Sequence, residues 1–264
     1  MFNAIILGLI QGLTEFLPVS SSAHIIVFEK LLGFKDDAGF AAAIHLATAF
    51  AAIIYFRKEI WSILKSFIKF NDSSDELTQS RKLGVNVILA TIPAAILGFI
   101  VTKLGIDEYF SSLAAIGLSA IFFGQLLGFA HKYNQSSPKE LSKTTAFLIG
   151  ASQIVAAIFP GASRSGVTLT TSFYFKLEKE FAAKFAFLIA IPITAMAGLN
   201  EIVLKNSVTF DGNFIIAFIV AFVSGLFGIY FLLYFVRRAG IKWIVLYRVI
   251  FGIVVLTYNL VISK

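Results

Sequence analysis

Two apolar stretches of this chain begin like membrane helices and then break. The first runs from Phe2 to Leu17 and meets Pro18-Val19-Ser20-Ser21-Ser22-Ala23-His24. The second runs from Thr144 to Phe159 and meets Pro160-Gly161-Ala162-Ser163-Arg164-Ser165-Gly166. Each apolar arm has sixteen residues. That is about 24 Å of helix at ~1.5 Å per residue, short of a ~30 Å hydrocarbon core. Proline and a Ser/Gly cluster then end the helix. A backbone that stops inside lipid leaves polar groups without water, so the break must be enclosed by protein or line a polar cavity. Both stretches are therefore expected to be re-entrant hairpins that enter and leave by the same face.

The other long apolar runs have crossing length. Six spans are expected, near 39–56, 82–103, 112–131, 181–200, 213–235 and 241–262. With 58% hydrophobic and 14% charged residues, the chain lacks the polar surface of a soluble domain of this size. The segment 57–81, with Asn71-Asp72-Ser73-Ser74-Asp75-Glu76 at its centre, reads as the one long polar loop. A shorter polar link at 132–143 contains Ser136-Ser137-Pro138. The fold class expected is an all-α integral membrane protein, one domain over 1–264, with six transmembrane helices plus two re-entrant helical hairpins. Cysteine is absent, which excludes disulfides, thiolate metal sites and a cysteine nucleophile. The N-terminus has no charged n-region or small-residue cleavage site, so no removable signal peptide is expected.

The two halves match at an offset of 142. Gly8 falls on Gly150, Gln11 on Gln153, Pro18 on Pro160, Ser21 on Ser163, and Glu59-Ile60 on Glu201-Ile202. The pattern indicates an internal repeat, about 1–131 and 142–264, of the kind that frames binding sites at the bilayer midplane. Charge tests the hairpins. With both stretches re-entrant, fifteen of the 22 Lys and Arg lie on one side and five on the other, Arg164 and Arg248 being within the membrane. A full crossing by the second stretch would give eleven against nine. The positive-inside bias thus favours a hairpin there and places loop 57–81 in the cytoplasm. An odd number of spans between the hairpins then puts them on opposite faces, making the repeat inverted. The net charge of +7 belongs to the same bias, not to nucleic acid.

Ionisable groups inside a bilayer are costly and point to function. Here they are Glu15, His24, His45, Arg164 and Arg248. If the hairpin tips meet, Glu15, His24 and Arg164 share a pocket with several hydroxyls. Small residues around Arg164 let backbone N–H groups approach an anion, and its guanidinium forks onto two phosphate oxygens. Ser20, Ser21 and Ser22 offer hydroxyls, one of them a candidate nucleophile. His24, three residues from Ser21, is the candidate base. Glu15 is placed either to orient that imidazole or to hold a divalent cation against phosphate. Plainer readings stand beside these. Serine-rich turns after proline also serve as caps. His45 reads as a packed, hydrogen-bonded histidine. Arg248 either snorkels, pairs structurally or binds phosphate. Gln11 and Gln153 either bind or tie broken backbones together.

The run Gln11-Gly12-Leu13-Thr14-Glu15-Phe16-Leu17-Pro18-Val19-Ser20-Ser21-Ser22-Ala23-His24 closely resembles the first signature of the undecaprenyl-diphosphatase family, also called bacitracin-resistance proteins. Pro160 to Gly166 resembles the second, and the likeness covers essentially the whole chain, including Tyr247-Arg248. The resemblance implies a phosphatase of the bacterial cell (inner) membrane. It would hydrolyse undecaprenyl diphosphate to undecaprenyl phosphate and inorganic phosphate, recycling the carrier lipid for cell-wall polymers, with its site open toward the outer leaflet. It implies a Mg²⁺ or Ca²⁺ cofactor at Glu15 and Gln11. It implies a catalytic region at Ser21, Ser22 and His24, and a diphosphate-binding turn at Ser163 and Arg164. Ser20, Gly161, Ser165 and Arg248 are added as candidate substrate contacts. Two departures are visible. Gln11 stands where some members carry glutamate. Ala23 stands where glycine is usual, at a cost of roughly 1 kcal/mol if that position needs φ > 0.

The expected chemistry is attack by Ser21 with His24 as base, or attack by His24 itself. The rival from another class is a polyprenyl-phosphate flippase built on the same pocket. Partners expected are the prenyl diphosphate lipid and the bilayer, with a homodimer compatible.

Overall fold

A computed structural model describes residues 1–33, 38–71, 74–134, 140–205 and 210–262. Among them every regular element is helical. In chain order these are α1 (Phe2–Phe16), α2 (Ser21–Leu32), α3 (Ala38–Tyr55), α4 (Arg57–Ile68), α5 (Asp75–Lys103), α6 (Ile106–Tyr109), α7 (Leu113–Tyr133), α8 (Lys143–Ser152), α9 (Ile154–Ile158), α10 (Arg164–Tyr174), α11 (Lys179–Lys205), α12 (Gly212–Tyr234) and α13 (Lys242–Ile262). A 3₁₀ turn, Pro160–Ala162, precedes α10, and a π turn, Phe235–Ala239, follows α12.

Five helices, α5, α7, α11, α12 and α13, are long and apolar enough to cross a membrane. The sixth expected span is α3, whose 18 residues make about 27 Å of helix. α4 follows it across a 77° bend. The chain is a multi-pass membrane protein. The expected loop 57–81 is therefore corrected. Most of it is α4 and the first turns of α5, although Asp72 and Ser73 lie outside the described residues. Charged residues raise the polarity of 57–68, but its apolar residues keep helical spacing. Ile60 and Ile63 pack on the core, while Trp61, Leu64 and Ile68 face outward. Ser136-Ser137-Pro138 also lie outside the described residues.

The two arms differ in continuity. The first is one helix, α1. The second is divided at Gln153 into α8 and α9. Both end in a serine with positive φ, Ser20 at 75° and Ser163 at 69°. Each of these serines caps the next helix, accepting from Ala23 N at 3.3 Å and from Gly166 N at 3.2 Å. The structural counterpart of Ser163 is thus Ser20, one residue away from the offset-142 match with Ser21. The second turn has one more residue between proline and cap, taken up by the 3₁₀ turn. Ala23 lies inside α2 and is buried; the strained backbone falls on Ser20, so alanine carries no φ penalty.

Glycines bring each arm against its partner helix. A Cβ on Gly12 would come within 2.0 Å of Ser224 Oγ on α12, and one on Gly150 within 2.0 Å of Ala90 O on α5. Close approach through small residues is how helices pack where lipid supplies no hydrophobic drive. Ser224 Oγ also donates to Gly8 O at 3.2 Å. The tip of α1 seats on the core through Phe16, edge-on to Phe187 of α11 at 5.5 Å, and Phe187 in turn meets Phe56 at 5.3 Å.

Overpacking the second contact should be costly. Gly150→Ala is expected to lose about 1–3 kcal/mol and to lower the thermal unfolding midpoint in detergent. Gly212→Ala, where a Cβ meets nothing within 4 Å, should leave it unchanged. Equal midpoints for the two variants would contradict the tight α8–α5 crossing.

Candidate active site

The two broken turns meet. Arg164, first residue of α10, forms a salt bridge through Nη2 with Glu15 Oε1. Ser20 Oγ donates to Pro160 O, and Ser165 Oγ donates to Leu17 O at 3.0 Å. Each turn thus satisfies backbone carbonyls that the other exposes, as a break inside a membrane requires.

A third element locks the joint. Arg248 of α13 is only 1% exposed. Its Nη1 donates to Pro18 O at 2.8 Å, its Nη2 to Gly161 O at 2.8 Å and Ala162 O at 3.0 Å, and its Nε to Ala120 O at 3.2 Å. Planar guanidinium donors fan out over both turns and α7 at once. Arg248 as a phosphate ligand is therefore corrected: its hydrogen bonds go to carbonyls. Gly161 and Ser165 likewise serve the joint. A Cβ on Gly161 would come within 2.1 Å of Ser119 Oγ, so glycine lets the turn lie against α7.

Glu15 is the hub of the polar groups that remain. Its Oε2 accepts from Ser21 Oγ at 2.5 Å and from Gln11 Nε2 at 2.9 Å, while Oε1 faces Arg164. The proton acceptor nearest Ser21 is thus a carboxylate. His24 does not fill that place. Its Nδ1 contacts Ser20 O at 2.7 Å and its Nε2 contacts Tyr247 Oη at 2.6 Å. A carbonyl only accepts, so Nδ1 carries the proton and Nε2 accepts from the tyrosine. The ring stacks on Phe251 at 4.1 Å and is 4% exposed. His24, expected as the base for Ser21, does not contact it in this structure: from its position in α2 the imidazole turns toward α13, and what it holds is the carbonyl of strained Ser20.

Beside this hub lies a cavity of about 400 Å³, within the ~300–1,000 Å³ range of small-molecule sites. Glu15, Ser20, Ser21, Ser22, Ser163 and Arg164 line one part of it. Small and apolar residues of α5, α9 and α11, such as Ala94, Ala157 and Ile193, line another. Thr102, Asp107 and Ser111, at and beyond the C-terminal end of α5, also line it. His45 is on its wall too, where sequence reasoning had a packed residue. Thr194 and Asp107 went unread as lining residues, and Gln153 was read only as a residue that binds or ties the broken backbone. The Gln11–Gln153 match was the one signal for Gln153, and nothing marked Thr194.

For a cation, the oxygen donors near the hub are the Glu15 carboxylate and Gln11 Oε1, which is buried without a partner. Among the described residues no cluster of three His, Cys, Asp or Glu offers a self-sufficient metal cage. The set fits a hard cation that takes most of its ligands from phosphate oxygens and water.

The chain has relatives among known proteins. A family model described as bacitracin resistance protein BacA matches residues 4–254. The chain belongs to this family. Among BacA-family relatives, undecaprenyl-diphosphatase 1 of Pseudoalteromonas translucida is 39% identical over 259 residues, covering 96% of each chain. The undecaprenyl-diphosphatase of Aliivibrio salmonicida is 37% identical over 257 residues, 95% of each. That of Tropheryma whipplei (strain TW08/27) is 35% identical over 271 residues, 96% of this chain and 97% of its own.

Removing the lock in this BacA-family chain should loosen both turns. Arg248→Met strands four carbonyls at about 1–3 kcal/mol each if left unpaired, so a thermal midpoint in detergent well below wild type is expected. Arg248→Lys, with one compact ammonium in place of the fork, should fall between. A midpoint for the Met variant equal to wild type would contradict the clamp.

Proposed function

We propose that this chain is a membrane phosphatase that hydrolyses undecaprenyl diphosphate to undecaprenyl phosphate and inorganic phosphate, recycling the lipid carrier of cell-wall synthesis. The observation that carries this reading is the Ser21–Glu15–Arg164 constellation at the joint of two broken helices. A nucleophilic hydroxyl and a guanidinium share one carboxylate, itself the proton acceptor, beside a cavity of headgroup size.

The diphosphate enters the cavity while its isoprenoid tail stays among apolar side chains and lipid. Arg164 turns from Glu15 to the terminal phosphate, forking onto its oxygens and stabilising the charge that spreads over them as the bond breaks. Glu15, released from that ion pair, takes the proton of Ser21 as its oxygen attacks phosphorus. Ser20 and Ser163, held at positive φ, fix the start of α2 and α10 and so aim Ser21 and Arg164. Strain of ~1–3 kcal/mol per such residue persists only where surrounding contacts hold it. Ser22, exposed at the cavity, is a further hydroxyl for the headgroup. His24 acts by holding the Ser20 turn.

Mg²⁺ or Ca²⁺, held by Glu15 and Gln11 Oε1 together with the substrate's own phosphates, would neutralise headgroup charge when bound. Two further points support the membrane arrangement. The Lys/Arg excess on α4 and the neighbouring connections supports placing that end in the cytoplasm. Thr102, Asp107 and Ser111 line the cavity at the opposite end of α5, which supports a cavity open toward the external leaflet. The contacts α1–α12 and α8–α5 exchange partners between the halves, which supports an inverted repeat. A lipid carrier would need the cation and the anion-binding turn but not a hydroxyl poised on a carboxylate.

Phosphate release from a C55 diphosphate by detergent-purified protein with Mg²⁺ or Ca²⁺ tests the reading. Glu15→Gln should lose about 10²–10⁴-fold in turnover and Arg164→Lys about 10²-fold, both with thermal midpoints near wild type. Absence of release by wild type, together with lipid movement in vesicles, would favour the carrier instead.

A further inference from the structure

A phosphatase that works through a serine adduct has two halves. The hub supplies a proton acceptor for the first. In the second, water must attack the phosphorylated serine and lose a proton as its bond to phosphorus forms. A base on the cavity wall would serve that half.

We propose that His45 is that base, the residue that activates the hydrolytic water; the inference rests on the phosphatase reading. His45 lies on α3, outside both signature turns, and lines the same cavity as Ser21 and Arg164. Its Nδ1 contacts Ala41 O at 2.8 Å. Because that carbonyl only accepts, Nδ1 carries a proton, and in the neutral ring Nε2 is left with its lone pair. Holding one ring nitrogen on a backbone carbonyl is how an imidazole is kept in a single tautomer and orientation. The ring is half-buried, fixed on a helix instead of a loop, and open to the cavity.

The other ionisable groups of the site are committed elsewhere. Arg164 is a cation. Glu15 accepts from Arg164, Ser21 and Gln11. His24 has both nitrogens engaged and is not on the cavity wall. Asp107 also lines the cavity, from α6 beyond the end of α5, but it is a carboxylate. Charge also favours an imidazole over another carboxylate. A neutral base adds no repulsion toward the anionic phosphoserine, and once protonated it becomes a cation beside the departing phosphate.

The steps balance. In the first half the Ser21 Oγ–P bond forms and the bridging P–O bond breaks. The electron pair leaves on undecaprenyl phosphate, and the serine proton passes to Glu15. In the second half the water O–P bond forms and the Oγ–P bond breaks. One water proton goes to His45 Nε2, and Glu15 returns its proton to Ser21. His45 then gives its proton to bulk water through the cavity mouth.

Rapid-quench kinetics with a C55 diphosphate labelled in its terminal phosphate separate the halves. For His45→Gln, one equivalent of undecaprenyl phosphate should appear in a burst at the wild-type rate. Steady-state phosphate release should fall about 10²–10⁴-fold, and the label should remain on Ser21, located by mass spectrometry. The burst itself reports a folded, competent site. Turnover near the wild-type value with no trapped label overturns the proposal. So does loss of the burst together with turnover, which would assign His45 to the first half or to the fold. Failure of the phosphatase reading is separate: it shows in the wild-type chain, which would then release no phosphate.

Discussion

The architecture depends on how free backbone carbonyls are satisfied at a depth where water is scarce. Two helices end inside the apolar layer, and each ending leaves groups that lipid cannot bond. The chain answers by bringing the endings together and threading one arginine between them. Arg248 reaches Pro18, Gly161, Ala162 and Ala120 from a third helix. Its charge has no carboxylate among these partners. It is spread over four carbonyl dipoles, which is what lets so polar a group remain buried. With the endings fixed in this way, the outward-facing side of the joint is free for Glu15, Ser21 and Arg164.

Division of labour follows from that arrangement. Groups within the joint hold it: Ser165 on Leu17, Ser20 on Pro160, His24 on Ser20. Groups at its cavity face have hydroxyl, carboxylate or guanidinium atoms available for exchange with a substrate. One residue shift along α2, from Ser20 to Ser21, separates the two roles. The positive φ of Ser20 and Ser163 turns the backbone abruptly enough that each serine caps the next helix while its successor, Ser21 or Arg164, reaches Glu15.

Much of this was legible in the sequence, and the reasons differ by residue. The long spans were visible because apolar runs of that length have few alternatives. The meeting of Glu15 and Arg164 followed from the cost of isolated charge in a membrane. The helical character of 57–68 was hidden by its composition; only the spacing of Ile60, Ile63 and Leu64 carried it. The partners of His24 and Arg248 were not legible. Proximity in sequence suggested Ser21 for His24, whereas the ring found Tyr247, 223 positions away. Which face of a short helix turns toward which neighbour is decided by packing between distant segments. The wall position of His45 was obscured for the same reason, since a histidine on an apolar helix has the same spacing whether it meets a cavity or a core.

The ion pair between Glu15 and Arg164 has an electrical consequence. A lone charge held at depth is subject to the transmembrane potential, about 2.3 kcal/mol for each 100 mV it crosses. Opposite charges joined side by side form a short dipole on which that field exerts almost no net pull. The resting pair is therefore nearly indifferent to the voltage across the membrane, which a separated carboxylate and guanidinium would not be.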